Sequence, residues 1–420
     1  MTATPLLFHL DCGLPVLLLE QHDVAVATAD VWVRTGSADE PAELSGVSHF
    51  LEHMLFKGTA KYGLGEIERR IERCGGQSNA GTSYDFTHYY VTLPADHIGV
   101  AIDMLAEMVR NSVIDPTELE KERLVILEEY RRKQDHPSGV LYERLYAETF
   151  RQGRYHDPVI GYEETIKSIS RKGMLDYYHR RYSAQNMLLV VTGDVEPDQI
   201  RAAANAAFEN FERPLETLRL APPLELGAGR QVHEEKATGG ELYVAFAWPA
   251  PGFERGTREE ILALDVAQFI LGQGRAARLY QNIKEKRGLC SSIGAFYPTH
   301  AGESMFAVSA TCLPAQLAPL RAALLEELEV WQREPIAADQ LGRAQRLLAS
   351  AQHFGMETSS GSAGQLGYYY TLTGKPDFLN SYLDGIHATS AQKVQTAIAN
   401  VLPADRLVET LVEVAVGPAA

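Results

Sequence analysis

Cysteine is scarce in this chain: four in 420 residues, Cys12, Cys74, Cys290 and Cys312, with no C-x-x-C spacing. Neither a disulfide framework nor a thiolate metal site is indicated, and the thiols read as buried or idle in a reducing compartment. Basic residues are also in deficit. Against 55 Asp and Glu stand 39 Lys and Arg, a net charge of −16, which argues against a nucleic-acid binder that gains affinity by neutralising phosphates. No segment reaches the apolar length of a membrane span. The opening MTATPLLFHLDCGLPVLLLE is apolar, but it has no basic start and His9, Asp11, Gly13 and Pro15 interrupt it. It reads as strand, turn and strand rather than a signal peptide, and it lacks the arginines of a mitochondrial presequence. A bacterial cytoplasm is the expected compartment.

What is present describes a globular protein, with 45% apolar and 22% charged residues. At this length two domains of about 200 residues are expected. Strand and helix patterns follow one another to about residue 212: a strand over 24–36, a helix beginning near Ser45, a helix over 65–74, strand-forming residues through Pro94, then several helices. Asp115-Pro116-Thr117-Glu118 spells out a helix start, with Asp as cap, Pro in first position and Glu in third, so a helix should run from 116 to about 134. Residues 213–230 read as a Pro/Gly-rich linker. Beyond it the order recurs, most visibly in MFAVSATCLPAQLAPLRAALLEELEVW against YYVTLPADHIGVAIDMLAEMV. This internal duplication predicts an α+β protein of two homologous halves, 1–212 and 231–420, each an antiparallel sheet flanked by helices.

The chemistry lies in the first half. In SGVSHFLEHMLFKGT, apolar residues recur at helical spacing, with Ser45 as expected cap. At about 100° per residue, His49 and His53 project from one helix face about 40° apart, and Glu52 stands about 60° to the other side of His49. Two neutral imidazoles at this spacing suit Zn²⁺, which takes three protein ligands and keeps one open position when catalytic. In a chain with thirteen histidines the string alone does not decide the matter; a third ligand is needed. The 116–134 helix offers acids. Glu122 and Glu129 share a face two turns apart while Glu128 points about 100° away, and spacing does not choose between the first two. The second half has DVAQF (265–269) in place of HFLEH, so only one such site is expected.

SGVSHFLEHMLFKGT followed by LEKERLVILEEY resembles the inverted zinc-peptidase family that includes pitrilysin, insulysin and the mitochondrial processing peptidase. LDCGLPVLLLE, NAGTSYDFTHYYVTLP, the GDV after LLVVTG and the duplicated halves extend the likeness over most of the chain. The resemblance implies His49, His53 and Glu129 as zinc ligands, Glu52 as general base and Glu122 as an acid orienting the ligands. It implies a peptide substrate held as an added strand on the edge carrying Asn79, Ala80 and Thr82. His88 on the same stretch reads as an ordinary core or surface histidine, and His136, before Pro137, as a helix-end residue.

One stretch departs from the family. Where active members carry an arginine and a tyrosine in a segment like R-E-K-R-G-L-A-Y, this chain has KEKRGLCS, placing Lys284 and Ser291 there. Lysine lacks the planar fork of arginine, and serine is too short to reach where a tyrosine hydroxyl does. The expectation is a zinc endopeptidase subunit whose homologous partner lacks the zinc motif and supplies both groups, with a homodimer as the other assembly; the alternative for the two substitutions is drift at a dispensable site or a nearby residue such as Tyr297 taking over. A non-catalytic structural subunit or a peptide-binding module are the other readings.

Overall fold

The computed structural model describes residues 4–213, 225–226 and 240–413. Of the expected linker 213–230, all but Arg213, Glu225 and Leu226 lies outside them. The chain forms two compact units, each assembled from three separate stretches rather than one contiguous half.

The first unit is built on a six-stranded sheet: β1 Leu6–His9, β2 Pro15–Glu20, β3 Val26–Val33, β4 Gln77–Thr82, β5 Thr87–Pro94 and β6 Met187–Gly193. The order is β1-β2-β6-β3-β5-β4, so β4 is an edge. Every pair is antiparallel except β2 with β6. That exception departs from the purely antiparallel expectation, and it is permitted because β6 returns only after a long helical crossover. The central strands are apolar on both faces because both are covered. Val16, Leu18, Leu189 and Val191 join the core beneath the helices α1 Val47–Leu55, α2 Glu66–Arg73, α3 Ile98–Asn111 and α4 Pro116–Gln134. Leu17, Leu19, Leu188, Val190 and Trp32 instead meet Ala363, Leu366 and Tyr370 of helix Ser359–Thr373, which comes from the far end of the chain.

The second unit repeats the scheme with four strands, β7 Leu242–Pro251, β8 Ser292–Phe296, β9 Glu303–Cys312 and β10 Val408–Glu413, in the order β8-β9-β7-β10, all antiparallel. This matches β4-β5-β3-β6 of the first, so the duplication read in the sequence is real. The exchange of helices is reciprocal: Pro137–Thr149, from the first half, belongs to the second unit and packs on β7 and β10.

On helix Arg258–Gly272 of the second unit, Asp265 is buried and accepts a hydrogen bond from the Tyr382 hydroxyl at 2.8 Å. Burial pushes its carboxyl up from 3.8 to about 7, the Tyr382 bond pulling weakly the other way. A carboxyl raised in the folded state holds its proton more tightly there than when unfolded, so stability falls as pH rises from about 4 to 7. Asparagine keeps the acceptor and cannot ionise. Asp265→Asn should therefore raise the unfolding midpoint at pH 8 and leave it nearly unchanged at pH 4, as thermal melts at the two pH values would register.

Candidate metal centre

α1 buries Val47, Ser48, Phe50, Leu51, Met54 and Leu55 and leaves His49, Glu52 and His53 on its other side. Its start differs from expectation. The N-cap is Gly46, not Ser45, and it has a left-handed backbone with no side-chain cap. The carboxylate of Glu40 takes that place, accepting from the backbone N–H groups of Gly46 and Ser48, both at 2.6 Å; an acid satisfying orphan donors at a helix start is the arrangement electrostatics favours. Gly46, at φ +94°, also lies against Gly161: a Cβ there would sit 2.5 Å from the Ile160 carbonyl oxygen. The backbone entering α1 is thus fixed from two sides.

α4 runs over the span that its start signal predicts, and Asp115 Oδ1 accepts from Thr117 and Glu118 N–H at 2.8 and 3.0 Å. Arg123 ties it to the carbonyls of Ile166 and Ile169. Along this helix the acids separate by position. Glu129 Oε2 lies 3.7 Å from His49 Nε2 and 3.8 Å from His53 Nε2. Glu122 Oε1 lies 2.8 Å from His53 Nδ1, and its Oε2 pairs with Lys57 Nζ at 2.7 Å. Glu128 faces outward to Arg131. Height on the helix distinguishes the two acids: Glu129 meets the Nε2 side of both imidazoles and Glu122 the Nδ1 side of one. With Nδ1–H donated to Glu122, His53 presents the Nε2 lone pair toward Glu129. Burial alone would raise the Glu122 carboxyl, but Lys57 and His53 outweigh it and hold it below the usual carboxylate range.

Among the described residues, His49, His53 and Glu129 form a group whose donor atoms all lie within 4.8 Å of one another. A tetrahedral zinc with bonds near 2.0–2.2 Å separates its ligands by about 3.3–3.5 Å, so the observed spacing accepts such an ion after a small inward shift. Two imidazoles and one carboxylate are also the donor set of a catalytic site with an open position.

Glu52 is not in that group. Its carboxylate accepts from the Thr82 hydroxyl on β4. Burial raises its pKa, while Thr82, His53 and His88 pull it down.

The stretch 77–94, which reads as strand-forming throughout, folds as a hairpin, closed by Ser83 N–H donating to the Phe86 carbonyl. From that bonded pair, Gly81 with His88 and Asn79 with Tyr90 are bonded pairs in turn. The N–H and C=O groups of Ser78, Ala80 and Thr82 therefore face the open edge. Asn79 is placed otherwise: its main chain lies in the ladder and its Oδ1 accepts the outward N–H of Ala80 at 2.9 Å. Alternation sends the Ala80 and Thr82 side chains toward α1, and Asn79 to the opposite face with His88. His88 stacks on Trp32, centroids 4.4 Å apart, with Nδ1 3.2 Å from both Asp30 oxygens, so it takes no part in the metal cluster. His136 is the N-cap of helix Pro137–Thr149.

Lys57, Glu40 and the Thr82 hydroxyl are contributors that sequence reasoning missed. For Lys57 a signal was there, since it follows His53 at helical i+4 spacing. For the other two no local pattern connects the residue with its target.

In the second unit, Lys284 lies in the short π-helical turn Tyr280–Glu285, its Nζ 4.9 Å from the Tyr280 ring centroid. The Ser291 hydroxyl lies 3.2 Å from both Glu241 Oε1 and the Thr311 carbonyl. Tyr297 is buried and donates its hydroxyl to the Pro251 carbonyl, so its phenol is already engaged.

Comparison with known proteins agrees with this architecture. Residues 15–163 match the sequence profile described as Insulinase (Peptidase family M16), and residues 168–348 that described as Peptidase M16 inactive domain. The uncharacterized zinc protease YmxG of Bacillus subtilis (strain 168) is 28% identical over 382 residues, 91% of this chain and 92% of its own. An uncharacterized zinc protease of Rickettsia felis is 29% identical over 366 residues, 86% of each chain. A protease from Helicobacter pylori shares the fold with a TM-score of 0.90 at 23% identity, over 99% of this chain and 100% of its own.

Proposed function

The chain belongs to the insulinase family, peptidase family M16, and from that premise we propose that it is a zinc-dependent endopeptidase subunit that hydrolyses peptides or small unfolded proteins. The observation that carries the proposal is the convergence of His49, His53 and Glu129 from two separate helices, with an acid that is not one of them beside the group. His49, His53 and Glu129 would hold Zn²⁺, and Glu122 would orient His53. When bound, the ion lowers the pKa of water toward ~7 and polarises the scissile carbonyl. Glu52 takes the proton of the attacking water and returns it to the departing amine. The peptide lies along β4 as an added strand, paired with the outward groups of Ser78 and Thr82 and the carbonyl of Ala80. Asn79 acts through the Ala80 N–H that it caps.

Lys284 and Ser291 motivate the second part of the proposal: a homologous chain without the zinc motif supplies the arginine and tyrosine, or two copies of this chain work together. The engagement of Tyr297 with Pro251 leaves that phenol a poor substitute and favours the partner. Among the described residues no helix is long and apolar enough to cross a membrane, and the proposed compartment is the cytoplasm.

Cleavage of a quenched fluorogenic peptide, with and without a chelator, tests the reading. Cleavage that a chelator stops and zinc restores is expected. A zinc-loaded protein that is inert toward peptides, alone and in its native complex, would leave the non-catalytic reading standing.

A further inference from the structure

We propose that the Thr82 hydroxyl is the positioning group for Glu52, so that one residue both registers the peptide and aims the base; the inference rests on the endopeptidase reading. Thr82 closes β4 at the hairpin turn, and its main-chain N–H and C=O face the open edge. Its side chain turns the other way, toward α1, and donates to Glu52 Oε2. A carboxylate on a helix can swing about its terminal torsion, which has broad wells. A hydroxyl anchored on the neighbouring strand removes that freedom from one oxygen and leaves Oε1 for the water. The donor is neutral, so it favours the carboxylate without placing a cation beside the proposed zinc ligands. Because the outward groups of Thr82 would bond the peptide, the distance from the bound strand to the base is set through a single residue and not through loops.

A purely structural threonine predicts something different. Valine has the same shape and a high strand propensity, so Thr82→Val should leave folding intact. If the hydroxyl positions Glu52, Thr82→Val lowers kcat by about 10–100-fold, in line with the cost of a misplaced group. KM and zinc content stay near wild type, and Thr82→Ser restores most of the rate. In the metal-free protein, shifts of the unfolding midpoint for Thr82→Val, Glu52→Ala and the double variant should be non-additive, since the two side chains share one bond that either substitution removes. An unchanged kcat in Thr82→Val, or additive shifts, would overturn the inference while the endopeptidase reading stood. So would a rise in KM alone or a loss of zinc, which would assign Thr82 to substrate binding or to the frame of the site. A wild-type protein that binds zinc and cleaves no peptide would remove both.

Discussion

Glu52→Gln is expected to bind zinc as the wild type does and to cleave peptides about 10²–10⁴-fold more slowly, the range that a positioned general base supplies. The expectation follows from where the side chain stands. Glu52 shares α1 with both imidazoles yet lies outside the group of three donors, and glutamine preserves its size and an acceptor for Thr82. What is lost is the capacity to take a proton. Turnover of a fluorogenic peptide, measured beside metal content by native mass spectrometry, separates the two effects. A variant that retained full turnover would move the base to another residue; one that lost its zinc would make Glu52 part of the metal shell.

The second large effect concerns the two acids of α4, whose positions against the histidines differ. Glu129→Ala removes the carboxylate that, among the described residues, groups with the Nε2 atoms of both histidines, and should abolish stoichiometric zinc and, with it, cleavage. The side chain is partly exposed, so the fold should survive. Glu122→Gln should instead weaken zinc binding by about 10–100-fold, the usual cost of losing a partner that orients a ligand, because His53 keeps its Nε2 and loses only the anion behind its Nδ1. Chelator competition measures both. Equal losses would mean that Glu122 also touches the ion, and a larger loss at Glu122 would reverse the assignment.

Local chemistry made part of this legible without coordinates. The ends of α4 follow from Asp115 and Pro116, which act on their own backbone, and the shared face of His49 and His53 follows from helical period alone. The duplication was visible because both repeats keep the same order of patterns, and the strand order confirms it. The hairpin over 77–94 was hidden because Tyr84 and Phe86 keep a strand-like pattern through the bend and no glycine or proline marks it, the turn formers Ser83 and Asp85 being the only local signal. Ser45 satisfied the rule for a helix cap, yet a carboxylate from six residues upstream of Gly46 displaced it, a contact that only the folded loop creates. Glu122 and Glu129 were equivalent by angle and differ only in their height against α1. Which sheet a helix covers is likewise beyond periodicity, since an apolar stripe does not name its partner.

The exchanged helices carry a consequence for anyone who would dissect this chain. Helix Ser359–Thr373 closes one face of the six-stranded sheet, laying Gly367 on the Trp32 indole so closely that a Cβ there would come within 2.1 Å of its nitrogen. A fragment ending after residue 213 would lack that lid over Leu17, Leu19, Leu188 and Val190 and present a bare oily surface to water. The complementary fragment would be stripped of Pro137–Thr149 in the same way. Gene duplication made two copies, but the interleaving has bound them into one heritable piece, inseparable by a cut at any single point between them.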